Sequence, residues 1–228
     1  MNAGADYVFI LNNDVTVEPD CVSLLVEAAK QNPRAGLLAP KVLYHDSRHI
    51  INSLGTRMDW LRLRPVLMEC GLRDDPRELK PFKREILVGC ALLVPKETIE
   101  RIGFLDERFF LIHEEADWCY RNLKSGYENL TVPRAAVYHK ASLTLKDYPA
   151  LTHYYSIRNC LYLAQKNASF LQRLAGRIGL GALAMKHCFW LKVSKDPDRQ
   201  ALAGAFFDGV RDFFKGKMGP ASSSGHIA

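Results

Sequence analysis

The chain has 228 residues, 48% hydrophobic and 25% charged, which is the composition of a folded globular protein and excludes a disordered or fibrous one. Its formal net charge of +6 suits an anionic partner: a nucleotide, a phospholipid surface or a nucleic acid. The six cysteines, at 21, 70, 90, 119, 160 and 188, form no Cys-x-x-Cys pair, which argues against a zinc or redox motif and for buried thiols in a reducing compartment. No leader-like segment opens the chain and no uncharged apolar run approaches ~18 residues, so neither secretion nor a spanning helix is expected.

The first element is the apolar run Tyr7 to Leu11, which breaks into Asn12-Asn13-Asp14. Such a run reads as a strand buried on both faces, as in a parallel sheet. The three polar residues then sit at its carboxyl end, where open α/β sheets bind ligands. A carboxylate flanked by two amides can hold a divalent cation, and the cation a diphosphate. An Asx turn ending the strand accounts for the tripeptide equally simply.

Pro19 suits a first helical turn, Val22, Leu25, Ala28 and Ala29 repeat at helical spacing, and Asn32-Pro33 stops the helix. Gly36 to Tyr44 reads as a strand. His45 to Pro81 is polar and irregular, with a short strand near Ile50 to Leu54, and reads as a covering loop. Ile86 to Pro95 reads as a second buried strand with Gly89 in its middle, where glycine marks a bulge or the close approach of a ligand. Lys96 to Ile102 is a short helix closed by Gly103, followed by an aromatic loop, Phe104 to Ile112. A helix then starts at His113-Glu114-Glu115-Ala116-Asp117 and ends at Gly126. Leu130 to Pro133 and Ala135 to His139 read as two short strands.

From Tyr148 onward the period is helical: roughly Pro149 to Lys166, Ser169 to Val193, and Pro197 to about Lys215. The second of these mixes Phe170, Leu171, Leu174 and Ile178 with Arg173, Arg177 and Lys186, a basic amphipathic pattern that fits a membrane surface or packing on its own domain. The expected organisation is a domain over 1–147, a helical appendage over 148–216, and a small, polar, disordered tail over 217–228.

Glu114, Glu115 and Asp117 repel one another, and a helix N-terminus offsets part of that repulsion. Crowding also raises a carboxylate's pKa and suits it to general-base work. His139, at a strand end, would complete a hard-ion site with Asp14 and two diphosphate oxygens.

The order of these parts, a strand into Asn12-Asn13-Asp14, Gly89, Phe104-Leu-Asp-Glu-Arg-Phe-Phe110, Glu114-Glu115-Ala116-Asp117-Trp118 with Arg121, Gly126-Tyr127 and a strand into His139, resembles the catalytic domain of family 2 glycosyltransferases with the GT-A fold, in particular rhamnosyltransferase-like members. The resemblance covers about Asn2 to Leu163. The Asp-x-Asp element of the family falls on Asn12-Asn13-Asp14, its Glu-Asp-x-Asp element on Glu114 to Asp117, and its late histidine on His139. Tyr154-Tyr155-x-x-Arg158-Asn159 looks like the helix after the domain in that group.

The resemblance implies an α/β chain: a partial GT-A domain, Rossmann-like, with a mostly parallel mixed sheet and helices on both faces, followed by C-terminal helices. It implies inverting transfer of a sugar from a nucleotide-diphosphate donor to a hydroxyl of a saccharide or lipid-linked saccharide, in cell-surface polysaccharide or glycolipid synthesis, with no nucleic-acid partner. Glu115 falls on the base position, with Glu114 and Asp117 as alternatives. Asn12, Asn13, Asp14, Gly89 and Arg121 fall on the donor side, Arg121 orienting the carboxylates. Asp14 and His139 fall on a Mg²⁺ or Mn²⁺ site. The implied location is cytoplasmic, at the inner face of the plasma membrane. Relatives carry Asp where Glu115 stands, and a shift of ~1 Å there can lower a rate ~100-fold.

Family members also place βαβ units before the Asp-x-Asp strand, so the chain is expected to be the later portion of the domain, with Tyr7 to Leu11 an exposed apolar edge. The competing reading is a truncated, non-catalytic remnant or a membrane-peripheral interaction module. A phosphohydrolase is disfavoured because no second ligand cluster accompanies Asp14. The transferase reading expects Asp14, the acidic trio and His139 to share one pocket.

Overall fold

The computed structural model describes residues 4–75, 80–140 and 147–221. The chain divides into two compact units: residues 1–57, 66–105 and 118–142 form one, and 58–65, 106–117 and 143–228 the other.

The first unit is α/β. Its sheet has the strand order β1 (Tyr7–Leu11), β8 (Ala91–Pro95), β3 (Ala35–Tyr44), β9 (Glu128–His139), β2 (Val15–Val17), with β4 (Ile51–Ser53) on β3 and β7 (Phe82–Lys83) on β9. Helix α1 (Cys21–Gln31) packs Cys21, Leu25 and Ala28 onto Leu38, Val42, Leu93 and Val137 of the sheet. On β8, Ala91 and Leu93 join that core, while Leu92 and Val94, 1% and 0% exposed, point to the opposite face. A central strand buried on both faces is thus present, and it begins at Ala91.

Several expectations need correction. The sheet is mixed as expected, but among the described residues its pairings are antiparallel except β3 with β9. β1 pairs antiparallel with β8 along its whole length, from Tyr7 opposite Pro95 to Leu11 opposite Ala91. It ends the strand order and is half-buried, so its apolar run reflects an edge strand with one covered face. Gly89 lies in the turn leading into β8 and not within the strand. Helix α1 begins at Cys21 with Asp20 in the position before it, whose side chain makes no capping bond, so Pro19 stands outside the helix and not in its first turn. The 130–133 and 135–139 strands are one strand, β9, with a register shift opposite Pro40 and Lys41, where Pro133 interrupts the ladder. The segment read as irregular also holds a two-stranded sheet, β5 (Thr56–Asp59) with β6 (Arg64–Leu67).

Helix α2 (Lys96–Ile102) ends at Gly103 as expected. Helix α3 (Glu114–Lys124) has glutamates in its first turn and ends before Gly126, whose φ of +87° suits a residue without a side chain. Asn122 and Asn129, both fully buried, fix α3: Asn122 Nδ2 donates to Asn129 Oδ1 at 2.8 Å, and Asn129 Nδ2 donates to the Glu85 and Cys119 carbonyls.

The second unit is built on α4 (Pro149–Asn167), α5 (Phe170–Val193) and α6 (Pro197–Phe214). A capping box at Ser169 and Gln172 starts α5, and Asp196 caps α6. His187 of α5 stacks on Phe206 of α6 with ring centroids 4.2 Å apart. The part of the expected tail that is described, residues 217–221, is bonded: Gly219 N–H donates to the Arg108 carbonyl and Ala221 N–H to the Tyr155 hydroxyl. The rest of that tail, 222–228, lies outside the described residues.

Candidate active site

Asp14 occupies the turn between β1 and β2, and His139 ends β9. The β2–β9 pairing sets Val15 opposite His139, which brings the neighbouring Asp14 to it: His139 Nε2 lies 3.2 Å from Asp14 Oδ2. Backbone bonds hold the turn, from Asn12 N–H to the Cys90 carbonyl and from Lys140 N–H to the Asp14 carbonyl. Asn12 and Asn13 are exposed and Asp14 is partly so, leaving the carboxylate reachable.

One carboxylate oxygen and one imidazole nitrogen are two donors that could hold a divalent cation, the carboxylate being the one that suits a hard ion. Their 3.2 Å separation is close to the ~3 Å between adjacent ligands on an ion with bonds of ~2.1 Å. Among the described residues no group of three or more His, Cys, Asp or Glu side chains converges. The remaining positions would fall to phosphate oxygens and water, as such ions prefer. His139 Nδ1 is buried and has no hydrogen-bond partner among the described residues, so the ring's orientation there rests on its Nε2 contact and on packing.

The acidic trio follows an unusual loop. Phe110, Ile112 and His113 all have positive φ, at 62°, 69° and 74°. A β-branched residue in that region is strained. What holds the loop is Asn159, fully buried on α4, whose Nδ2 donates to the carbonyls of Phe109, Leu111 and Ile112 at 2.8, 2.6 and 2.9 Å. Arg158 adds a bond from Nη2 to the Phe109 carbonyl and turns Asn159 through a bond from Nε to its Oδ1. The Arg158-Asn159 pair was noticed in the sequence only as part of a motif; its use is to shape the loop before α3.

Burial pushes the Glu115 carboxyl up to about 8, with Glu114 beside it adding to the rise and backbone N–H groups of the first helical turn offsetting part of it. Glu114 is also raised by burial, and its Oε2 has no hydrogen-bond partner among the described residues. Asp117 differs. It is fully buried and paired with Lys166 at 2.8 Å and with Asn167 Nδ2 at 2.9 Å. Lys166 also reaches Asp106 at 2.6 Å. Asp117 is therefore the member of the trio held in ion pairing. His113 is buried neutral: desolvation takes it down to about 4 against a weaker upward pull from a bond to the Ser156 backbone.

Arg121 donates to the Ile102 and Phe104 carbonyls and so closes the end of α2, a structural use that the sequence reading did not foresee. Asp14 and His139 belong to the first unit, and Glu114, Glu115 and Asp117 to the second, so one shared pocket for both groups stands as a proposal.

Residues 7–191 match the family model described as glycosyl transferase family group 2, and the chain belongs to that family. Over 199 residues it is 28% identical to an N-acetylglucosaminyl-diphospho-decaprenol L-rhamnosyltransferase of Mycobacterium tuberculosis (strain ATCC 25618 / H37Rv), covering 79% of this chain and 62% of the relative. It is 21% identical over 175 residues to the dTDP-rhamnosyl transferase RfbF of Shigella flexneri, covering 73% and 56%. A crystal structure of GalNAc-T7 with UDP, GalNAc and Mn²⁺ superposes with a TM-score of 0.48 at 15% identity, over 79% of this chain and 40% of that one. The chain thus spans less than two-thirds of each curated relative.

Proposed function

We propose that the chain carries the cation-binding and proton-accepting residues of an inverting glycosyltransferase that moves a sugar from a nucleotide-diphosphate donor to a hydroxyl of a saccharide or lipid-linked saccharide. The names of the relatives point to rhamnose as the sugar and to cell-surface polysaccharide or glycolipid as the product. The observation that carries the reading is the Asp14–His139 pair, a carboxylate beside an imidazole where the β1–β2 turn meets the end of β9, at the turn on which the Asp-x-Asp resemblance falls.

In the reaction the acceptor hydroxyl attacks the anomeric carbon from the face opposite the leaving group. The new C–O bond forms as the bond to the diphosphate oxygen breaks, and the nucleoside diphosphate departs with the electron pair. Glu115, in its ionised form, takes the acceptor's proton. A pKa near the working pH makes it an effective base once deprotonated. Glu114 stands beside it as the raised, second carboxyl, and Asp117 steadies the helix start through Lys166. Asp14 and His139 would hold Mg²⁺ or Mn²⁺, which when bound neutralises charge on the diphosphate. Asn12 and Asn13, exposed at the same turn, and Gly89, in the turn before β8, line the donor side. The proposed setting is the cytoplasmic face of the plasma membrane.

Calorimetric titration of the folded chain with Mn²⁺ and a nucleoside diphosphate tests this. Asp14→Ala should abolish metal-dependent nucleotide binding. Glu115→Gln should keep binding and lose turnover in a donor–acceptor assay. Loss of both properties in both variants refutes the division of roles.

A further inference from the structure

Helix α5 keeps one face for its own unit and leaves the other bare. Gly176, Gly179 and His187 are buried, while Phe170, Leu171, Leu174, Ile178, Met185 and Phe189 are exposed by 46% to 73%. At 100° per residue those six fall within one third of the helix circumference. Exposed Arg173, Arg177, Lys186 and Lys192 accompany this stripe. An apolar band of this extent marks an interaction surface. No helix is long and apolar enough to cross a membrane, among the described residues.

Beside the stripe, and sharing Ile178 with it, lies a groove of about 770 Å³. Its wall is apolar, from Leu63, Ile157, Ile178 and Leu183, and its charged lining is cationic: Arg64, Lys186 and Arg62, the last already paired with Asp59 at 2.7 Å. His153 also lines it but is uncharged near neutrality, because burial, then His187 and Lys186, hold its pKa at about 4. The segment 58–65 is seated closely on α5: a Cβ at Gly179 would lie 1.7 Å from the Leu61 carbonyl oxygen. The groove is therefore built by packing that glycine permits.

We propose that this groove and the stripe form a docking site for an anionic lipid of a membrane surface, the phosphate held by Arg64 and Lys186 and the chain laid against Leu63, Ile157 and Ile178. An apolar channel rimmed by cations matches an amphiphile with an anionic head and an apolar tail. A second copy of this chain fits less well, since a self-complementary pairing would bring like charges together. The inference goes beyond the transferase reading and does not rest on it, and its test needs no turnover.

The experiment is co-sedimentation of the folded chain with vesicles of phosphatidylcholine alone, with added phosphatidylglycerol, or with a prenyl monophosphate at matched charge. Binding is expected to both anionic vesicles and not to neutral ones. Arg64→Ala with Lys186→Ala should lower partition ~30-fold, at about fivefold for each cation removed. Met185→Ser with Phe189→Ser should weaken binding while keeping its preference for anionic lipid. Circular dichroism establishes that each variant is folded. Absence of binding to anionic vesicles overturns the proposal, as does unchanged binding by the folded Arg64/Lys186 variant. Full release by inorganic phosphate reassigns the groove to a soluble anion and also overturns it. So does a concentration-dependent dimer in gel filtration that the Met185/Phe189 variant abolishes.

Discussion

Replacing Asn159 with alanine removes the group that shapes the loop before α3. Its side-chain amide has two hydrogens and faces three carbonyls, those of Phe109, Leu111 and Ile112, so it supplies about two full hydrogen bonds. A buried acceptor left without its donor costs ~1–3 kcal/mol. Two such losses predict ~2–6 kcal/mol of lost stability, with a small further contribution from the void. A partial offset comes from the backbone: Ile112, the β-branched residue among those held at positive φ, releases ~1–3 kcal/mol when the loop relaxes. The expected net loss is ~1–4 kcal/mol. Urea denaturation followed by tryptophan fluorescence reads it as a lower midpoint at unchanged slope. In a transfer assay the same variant should lose kcat more than it raises KM, because the loop leads directly into Glu114 and Glu115. A change below ~0.5 kcal/mol, within the range of an ordinary surface substitution, refutes the clamp.

The Glu115 carboxyl, raised to about 8 in the folded state from an ordinary value near 4.5, favours the folded form below that ordinary value. Stability is then lost as pH rises through about 8, and Glu115→Gln should flatten that decline in thermal melts taken from pH 6.5 to 9. His113 acts oppositely: held neutral with a pKa of about 4, it destabilises as pH falls below its unfolded value of 6.5, so His113→Gln should lessen acid sensitivity between those two values. Lys166→Met leaves Asp106 and Asp117 without their shared cation and should cost ~3–5 kcal/mol in urea unfolding. At Asp106, burial opposes ionisation but bonds from Arg108 and Lys166 outweigh it and hold the carboxyl well below the usual range. Gly179→Ala, with its Cβ driven against the Leu61 carbonyl, should cost at least ~1–3 kcal/mol by the same measurement.

The helices were legible because their signals are local. Ser169, Asp196-Pro197 and Gly126 mark ends that the structure keeps within a residue or two, and the apolar period supplies the rest. Strand orientation was not legible. The run from Tyr7 to Leu11 is apolar whether its partner runs parallel or antiparallel, and its partner, β8, is far along the chain. The β5–β6 pair is hard to see in the sequence because Thr56–Asp59 and Arg64–Leu67 are four residues each, too short to establish a period, and Pro65 argues against a strand. For the site, Asp14 and His139 could be named as polar residues at strand ends, and the β2–β9 register does place them together. The raised pKa of Glu115 followed from crowding in the sequence, but the larger cause, desolvation, depends on packing that no local pattern reveals. The role of Asn159 was equally hidden: its three acceptors lie almost fifty residues earlier, in a loop whose backbone shape has no sequence signature.

The pairing of β2 with β9 bears on how the molecule comes to be made. Val15 meets His139 only after more than a hundred intervening residues have been synthesised, and β3, made well before β9, likewise waits for it as its parallel neighbour. Closing so wide a loop is entropically slow, and until it closes the core side of α1 lacks part of its cover. The Asp14–His139 contact is thus an end product of chain collapse, so a nascent chain stalled before residue 128 would expose apolar surface to chaperones and carry no cation-binding pair.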